Sequence, residues 1–520
     1  MLIPENATQG MSSPAQPLLP ITGSALADLY ACERRFHNDL LADPADRDPV
    51  NGFVELLWRN GSRHEAEIIA QLGSDVVDLR AVPHAGRMNA TLAALSAGAR
   101  VVVGARLELG DRFGMPDLIV LEDGAHYAGD IKSGTPFAAN GTDAKSAYAA
   151  QIGFYAGLLA DLGVGSGDRA FVIGDDGVPA WFDLGVTASR GGRSIARMVE
   201  ELTDLARVIR DGAVLATPAA SAACGMCVWK STCSAMLYAA DDPTLVAGLG
   251  RAARSALAPV ARTVAELAAL PLTDGPKVKG VGPERMATFV ERARLLHQPD
   301  AGAYATRPLG LERRHHELHL DLETDPTNGN LVYLHGIHER IGTGPDAVER
   351  YVHFLAPDRE SERNAFADAW AYLTADPTAL VTTYSAFERT TYRLLQRRYP
   401  EIASEADVEE LFRSPRSVDL YFDAVFPATV WPIGSMGLKA VARHLGFDWR
   451  DKAPSGAGSI GWFVEWQETR DPALLKRILE YNADDCIASS VVLDGLIALP
   501  VRGPLDWPPA AAATDRERER

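Results

Sequence analysis

The chain has 520 residues, 47% of them hydrophobic and 23% charged, enough to fill several cores at about 150 residues per domain, so wholesale disorder is excluded. Its 51 Lys plus Arg against 69 Asp plus Glu give a net charge of −18, which excludes a polyanion binder with a uniformly basic surface. A nuclease stays open, because metal-dependent phosphodiester hydrolysis needs clustered carboxylates and only local basic contacts.

No run of about 18 apolar residues marks a membrane span, and MLIPENATQGMSSPAQPLLPITG has no basic segment leading into an apolar core, so a cytoplasmic protein is expected. In that reducing compartment the five cysteines read as metal ligands before disulfides. Residues 1–20 and 506–520, rich in Pro, Ala or charge, are expected to be disordered. Between them the pattern is α/β and multidomain. Residues 21–240 hold a β-rich centre (99–131) between helical stretches and close on a cysteine cluster; 245–300 form a small Ala-rich helical segment; 310–500 set strands such as HELHLDLET and NLVYLHGIH before amphipathic helices. There is no G-x-x-x-x-G-K-[ST], so no ATP-driven motor is encoded.

In the first of these regions, LIVLE and AHYAGDIK flank Asp123-Gly124, the dipeptide of a two-residue hairpin turn. Residues whose numbers sum to that of the turn pair face each other, which puts Asp117 across from Asp130, with Lys132 two residues on along the same face. Like charges directly opposite destabilise a sheet, so a divalent cation between the acids is the natural reason for the pair. Asp117, Asp130 and Lys132 resemble the PD-(D/E)XK nuclease signature. Gln151 and Tyr155, at i and i+4 in AAQIGFYAGLL, resemble the Q-x-x-x-Y helix of its RecB and AddB-type branch, and His64 in WRNGSRHEAEII resembles that branch's metal-binding histidine. The resemblance implies a restriction-endonuclease-like core with Mg²⁺ or Mn²⁺ on Asp117, Asp130 and His64, and Lys132 supporting the nucleophile.

Cys224, Cys227 and Cys233 lie in CGMCVWKSTC and Cys32 lies far upstream. Three clustered thiolates need a fourth ligand, and Cys32 can supply it if the ends of the region meet; either zinc or an iron–sulfur cluster suits four cysteines. The one-plus-three layout resembles the iron–sulfur nucleases of the AddB and CRISPR adaptation type and implies a structural [4Fe-4S] cluster. Cys486 reads as a small buried apolar residue.

Residues 246–300 carry eight Lys plus Arg against five Asp plus Glu, and Gly280-Val281-Gly282 precedes an amphipathic helix. The segment resembles a helix-hairpin-helix, which implies a sequence-independent contact of Gly280 and Gly282 with a DNA phosphate; a plain helical linker is the other reading.

In 310–500, Asp321 and Glu323 are two apart on an expected strand and share a face, beside Leu318, Leu320 and Leu322. Downstream, Asp471 reads as a helix N-cap before Pro472, and Tyr481 and Asp485 fall at i and i+4 on that helix. The D-x-E strand with a late Y-x-x-x-D helix resembles the DEDDy branch of DnaQ-like 3′ to 5′ exonucleases, of RNase H-like fold. It implies two divalent ions on Asp321, Glu323 and Asp485, with Tyr481 positioning the water. Where that family has a middle aspartate, LVTTYSAFERTTYRLL offers Glu388, a longer carboxylate that either still holds the metal or marks a weak or inactive site. Asp419 and Lys439 match residues of YprB-like members; read alone they are a helix-start aspartate and a solvent-facing lysine. Asp484 is expected to be solvated.

Together these features resemble RecB-like nucleases that join an iron–sulfur PD-(D/E)XK domain to an RNase H-like domain. Some carry a helicase domain that these residues do not encode, which implies a separate helicase partner. The implied activity is a Mg²⁺- or Mn²⁺-dependent DNase with two sites, in DNA repair or recombination. Two other readings stand beside it: a non-catalytic nucleic-acid scaffold with one or both sites inert, and an RNA exonuclease.

Overall fold

The computed structural model describes residues 19–138, 140–186, 193–214, 216–344 and 346–507. The expectation of disordered ends therefore falls mostly on residues outside the described ones. Within the expected tail, Trp507 is placed with its ring 5.8 Å from that of His297, and the Asp506 carbonyl accepts a hydrogen bond from Gln298. The chain divides into two compact units, the first from within 1–47 and 59–218, the second from within 48–58 and 219–520. Cys32 thus belongs to the first unit, and Cys224, Cys227 and Cys233 belong to the second.

The first unit is built on a six-stranded sheet whose spatial order follows the sequence: β1 (Val76–Asp78), β2 (Val101–Val103), β3 (Leu118–Glu122), β4 (Ala125–Ile131), β5 (Arg169–Ile173) and β6 (Pro179–Asp183). Strands β3 and β4 form a hairpin whose turn residues Asp123 and Gly124 have φ of 51° and 80°, the positive pair that a two-residue turn of the I′ type requires. That turn fixes the register from Glu122 opposite Ala125 to Leu118 opposite Gly129, and Asp117 and Asp130 are the next residues out. The helix α2 (Ser146–Asp161) buries Ile152, Phe154, Tyr155, Leu158 and Leu159 in the unit's core, and of the earlier helix α1 (Gly52–Gln71) the residues from Arg59 on belong to this unit.

The second unit carries a five-stranded sheet of β7 (His316–Asp325), β8 (Leu331–Ile341), β9 (Val348–Leu355), β10 (Leu380–Thr383) and β11 (Ser417–Asp419), in the order β9-β8-β7-β10-β11. The first three run antiparallel, and β10 and β11 run parallel to β7. Strand periodicity divides β7. Leu318, Leu320 and Leu322 pack into a core with Phe366 of α4 (Arg359–Thr374) and Tyr392 and Leu395 of α5 (Phe387–Arg398). Glu317, His319, Asp321 and Glu323 take the other face, against α7 (Gly456–Thr469) and α8 (Pro472–Ala498).

The helical stretch 246–300 packs within this same unit, with its own core of Leu249, Leu257, Leu267, Phe289 and Val290. The buried Arg292 of α3 (Pro283–Leu296) donates to the carbonyls of Ala247 at 2.9 Å and Phe426 at 2.8 Å, bolting the stretch to the sheet domain. Among the described residues no helix is long and apolar enough to cross a membrane.

Candidate active sites

Two strand positions and two helix positions make the second unit's site. Asp321 and Glu323 leave β7 on the face that α8 covers, and α8 is capped as its sequence requires, the Asp471 side chain accepting from the Ala473 N–H with Pro472 at the first helical position. One turn apart on α8, Tyr481 and Asp485 point back at the strand. Ligand oxygens of Asp321, Glu323 and Asp485 all lie within 4.8 Å of one another, the only such group of three His, Cys, Asp or Glu side chains among the described residues.

Every one of these carboxylates is held by a donor. Asn482 Nδ2 donates to Asp321 at 2.7 Å, and Tyr351 OH donates to Asn482 Oδ1 at 2.7 Å, which fixes the amide's orientation. Tyr333 OH lies 3.2 Å from Glu323 and 2.8 Å from the Ser459 hydroxyl. Asp485 accepts from Trp449 Nε1 at 2.7 Å and from the Lys439 ammonium at 2.8 and 3.0 Å, one contact to each oxygen. The ammonium also lies 3.0 Å from Tyr481 OH.

Burial and the crowding of like charge push the acids up. Burial, then Asp485, Glu323 and Glu388, raise Asp321 well above the usual carboxylate range. Burial, then Asp485, raises Glu323 to about 8. Burial and the surrounding carboxylates also hold the Tyr481 phenol far above its usual value, so it stays protonated. Acids kept this close without a cation are destabilising, and hard oxygen donors of this kind fit Mg²⁺ or Mn²⁺.

Glu388 stands apart. It opens α5 directly after β10, as expected for the family's middle acid, but it is not in the close group; its Oε2 is buried without a hydrogen-bond partner, and burial raises it to about 8. Asp419 is a helix-start residue, its Oδ1 accepting from the N–H groups of Tyr421, Phe422 and Ser385. Lys439 is not the solvent-facing lysine of one of its two readings. Asp484 is not solvated either: it is 3% exposed and takes hydrogen bonds from the Arg450 backbone and guanidinium, because α8 is packed on more than one side. Cys486 is fully buried, as read.

The sequence reading passed over Asn482, Trp449, Tyr333, Tyr351, Ser459 and Gly336. Asn482 had a signal, since it lies three residues before Asp485 on the same helix face. Gly336 pairs with Asp321 across β7 and β8, and a Cβ there would fall 1.6 Å from Asn482 Oδ1; only glycine leaves room for the amide.

In the first unit the hairpin brings the two aspartates together. Asp117 Oδ2 accepts from the Ile131 N–H at 2.8 Å, and the Lys132 ammonium pairs with Asp130, which is 1% exposed. Burial first, then the adjacent Asp130, lifts the Asp117 carboxyl well above its usual range. Burial opposes the charge on Lys132, but Asp130 and Asp117 outweigh it and hold the lysine above its ordinary value. Gln151 Nε2 donates to Tyr155 OH at 3.0 Å, and Tyr155 lies close enough to Asp130 and Asp117 to feel both charges. His64 on α1 bonds instead to the Gly174 carbonyl at 3.0 Å, and it does not join the aspartates in a close three-ligand group.

None of the five cysteines forms a disulfide. Cys224 and Cys227 sit in and just after a short 3-10 turn, and Cys233 sits on the helix Lys230–Ala239; all three are part-exposed, as is Cys32. Among the described residues the thiols form no close ligand group. Gly280 has φ of +88° and Gly282 is the N-cap of α3, both exposed at the surface of their helical segment.

Residues 318–497 match the RNase_H_2 family of the RNase_H superfamily, which marks this part of the chain as a nuclease-type hydrolase domain acting on nucleic acid. The match spans β7 through nearly all of α8, and so includes every residue of the Asp321 site. No curated protein matches the chain.

Proposed function

We propose that the chain is a divalent-metal-dependent nuclease acting on DNA, with a 3′ to 5′ exonuclease site on the RNase H-like domain and a second hydrolytic site on the hairpin of the first unit. The observation that carries this reading is the convergence of Asp321, Glu323 and Asp485 within 4.8 Å, beside Tyr481, inside the matched domain.

Asp321, Glu323 and Asp485 would hold Mg²⁺ or Mn²⁺, which supplies charge neutralisation at the scissile phosphate and a more acidic water. The protein's own groups do the rest. Tyr481, protonated at neutral pH, is positioned by Lys439 to hydrogen-bond the attacking water. Asn482, Tyr333 and Ser459 fix the rotamers of Asp321 and Glu323, so the site is ordered before substrate arrives.

In the first unit Asp117 and Asp130 would hold the ion, with His64 as a further candidate, while Lys132 neutralises charge developing at the phosphate. Gln151 and Tyr155 line that site from α2. On the resemblance to iron–sulfur nucleases, Cys224, Cys227 and Cys233 would serve as ligands of a structural metal group, and Gly280 with Gly282 would make a backbone contact to DNA. No catalytic step depends on either. The setting we favour is DNA repair or recombination on ends supplied by a separate helicase.

One observation favours a narrower reading in which the RNase H-like site binds without cutting: Glu388 lies outside the close group. Separate Asp321→Asn and Asp130→Asn variants, assayed on labelled single- and double-stranded DNA and on RNA of the same sequence with Mg²⁺ or Mn²⁺, decide. Each variant should lose its own class of product. Unchanged activity in both overturns the enzyme reading, and a preference for RNA overturns the choice of substrate.

A further inference from the structure

Three carboxylates face one ammonium at the RNase H-like site. Lys439, on α6 (Leu438–His444), sets its Nζ 2.8 Å from Asp485 Oδ1, 3.0 Å from Asp485 Oδ2 and 3.0 Å from Tyr481 OH. An ammonium has three N–H donors, and these three acceptors use all of them. Its approach is lined by aromatic faces, 4.9 Å from the Tyr481 ring centroid and 5.3 Å from that of Trp449. The lysine is therefore fixed, and only 30% of its side chain is exposed.

The contacts also take up most of Asp485, leaving about one of its four lone pairs for a metal. Its Oδ1 accepts from both Lys439 and Trp449, and its Oδ2 accepts from Lys439. By comparison Asp321 takes a single side-chain donor, Asn482, and Glu323 lies against the Tyr333 and Ser459 hydroxyls. Glu388, the acid that would serve a second ion, is outside the close group, although it lies near enough to Asp321 to raise it. Formal charge agrees. Three carboxylates and one ammonium sum to −2, which one divalent ion neutralises, whereas two such ions would leave a positive site in a partly buried cleft.

We propose that Lys439 is a built-in cation standing in the place of a second divalent ion, so that this site takes one Mg²⁺ or Mn²⁺ and not the usual two. The inference rests on the exonuclease reading above, since it presumes that the three acids bind a metal. The lysine's role is then positioning: it holds Asp485 and Tyr481 in place with no second ion to do so.

The test counts ions and needs no turnover. The full-length chain carrying Asp117→Asn and Asp130→Asn, so that the first unit contributes none, is titrated with Mn²⁺, with free Mn²⁺ read by electron paramagnetic resonance and heat by calorimetry. One bound ion is expected, none in a further Asp321→Asn variant, one with Lys439→Arg and two with Lys439→Met. Two ions with Lys439 present, or one in a folded Lys439→Met, overturn the lysine proposal alone. No ion with Lys439 present, or an ion that persists after Asp321→Asn, overturns the carboxylate site and the lysine proposal with it. Should Lys439→Met not fold, Lys439→Gln carries the same comparison.

Discussion

Lys439 and Asp485, 46 residues apart in the chain, meet with both carboxylate oxygens within 3.0 Å of the ammonium. Removing the lysine leaves a 5%-exposed carboxylate without its charge partner. We expect Lys439→Met to lower the stability of the metal-free protein by about 1–3 kcal/mol, below the full cost of breaking a deeply buried pair because the lysine is partly solvated. Urea unfolding of the second unit with EDTA measures this. An unchanged midpoint contradicts it.

The raised acids give a pH dependence with a definite sign. Glu323 moves from 4.5 to about 8 on folding and Asp321 moves in the same direction, so below the ordinary carboxylate range neither costs anything. As pH rises above about 4.5 the unfolded chain releases these protons while the folded one keeps them, and stability falls until pH passes about 8. In EDTA the melting temperature should decline across that window, Glu323→Gln should flatten the decline, and Mg²⁺ should stabilise most at its alkaline end. A Glu323→Gln profile parallel to the parent's contradicts this.

Gly336 is a packing requirement of the site. In Gly336→Ala the new methyl collides with Asn482, which must leave Asp321 or push α8 outward. Overpacking of this kind costs about 1–3 kcal/mol. We expect that loss by thermal melting together with reduced 3′ trimming, and Asn482→Ala in the same background should recover part of the stability.

Asp117 and Asp130 separate function from stability in the first unit. Asp117→Asn keeps an oxygen for the Ile131 N–H and leaves Asp130 its lysine, while removing a buried acid. Metal-free melting should be unchanged or higher, and cleavage by this unit should fall about a hundredfold or more. A drop in melting temperature with activity retained contradicts both halves.

Where geometry is local, the sequence carried it. Asp123-Gly124 dictates the hairpin register, and with it the opposition of Asp117 and Asp130. The two-residue period aligned Asp321 with Glu323, and the helical repeat aligned Tyr481 with Asp485. What lay out of reach came from tertiary packing. Trp449, Tyr333 and Ser459 belong to elements whose approach to β7 no spacing announces, and Lys439 looks like any helix-surface lysine until α6 is set beside α8. Asp484 misled because acids are usually solvated, whereas α8 is buried around much of its circumference. Glu388 occupies the expected position in the chain, after β10 and at the start of α5, yet it is not in the close group, which its place in the sequence does not reveal.

A hydrolytic metal site on Asp321, Glu323 and Asp485 makes 3′ trimming depend on both the ion and the acids. Release of mononucleotides from 3′-labelled single-stranded DNA, compared between the Asp117→Asn chain and the same chain with Asp321→Asn, in Mn²⁺ and in EDTA, tests that most directly. Trimming that needs Mn²⁺ and disappears with Asp321→Asn is the predicted result. Equal trimming by both chains, or trimming that survives EDTA, contradicts it.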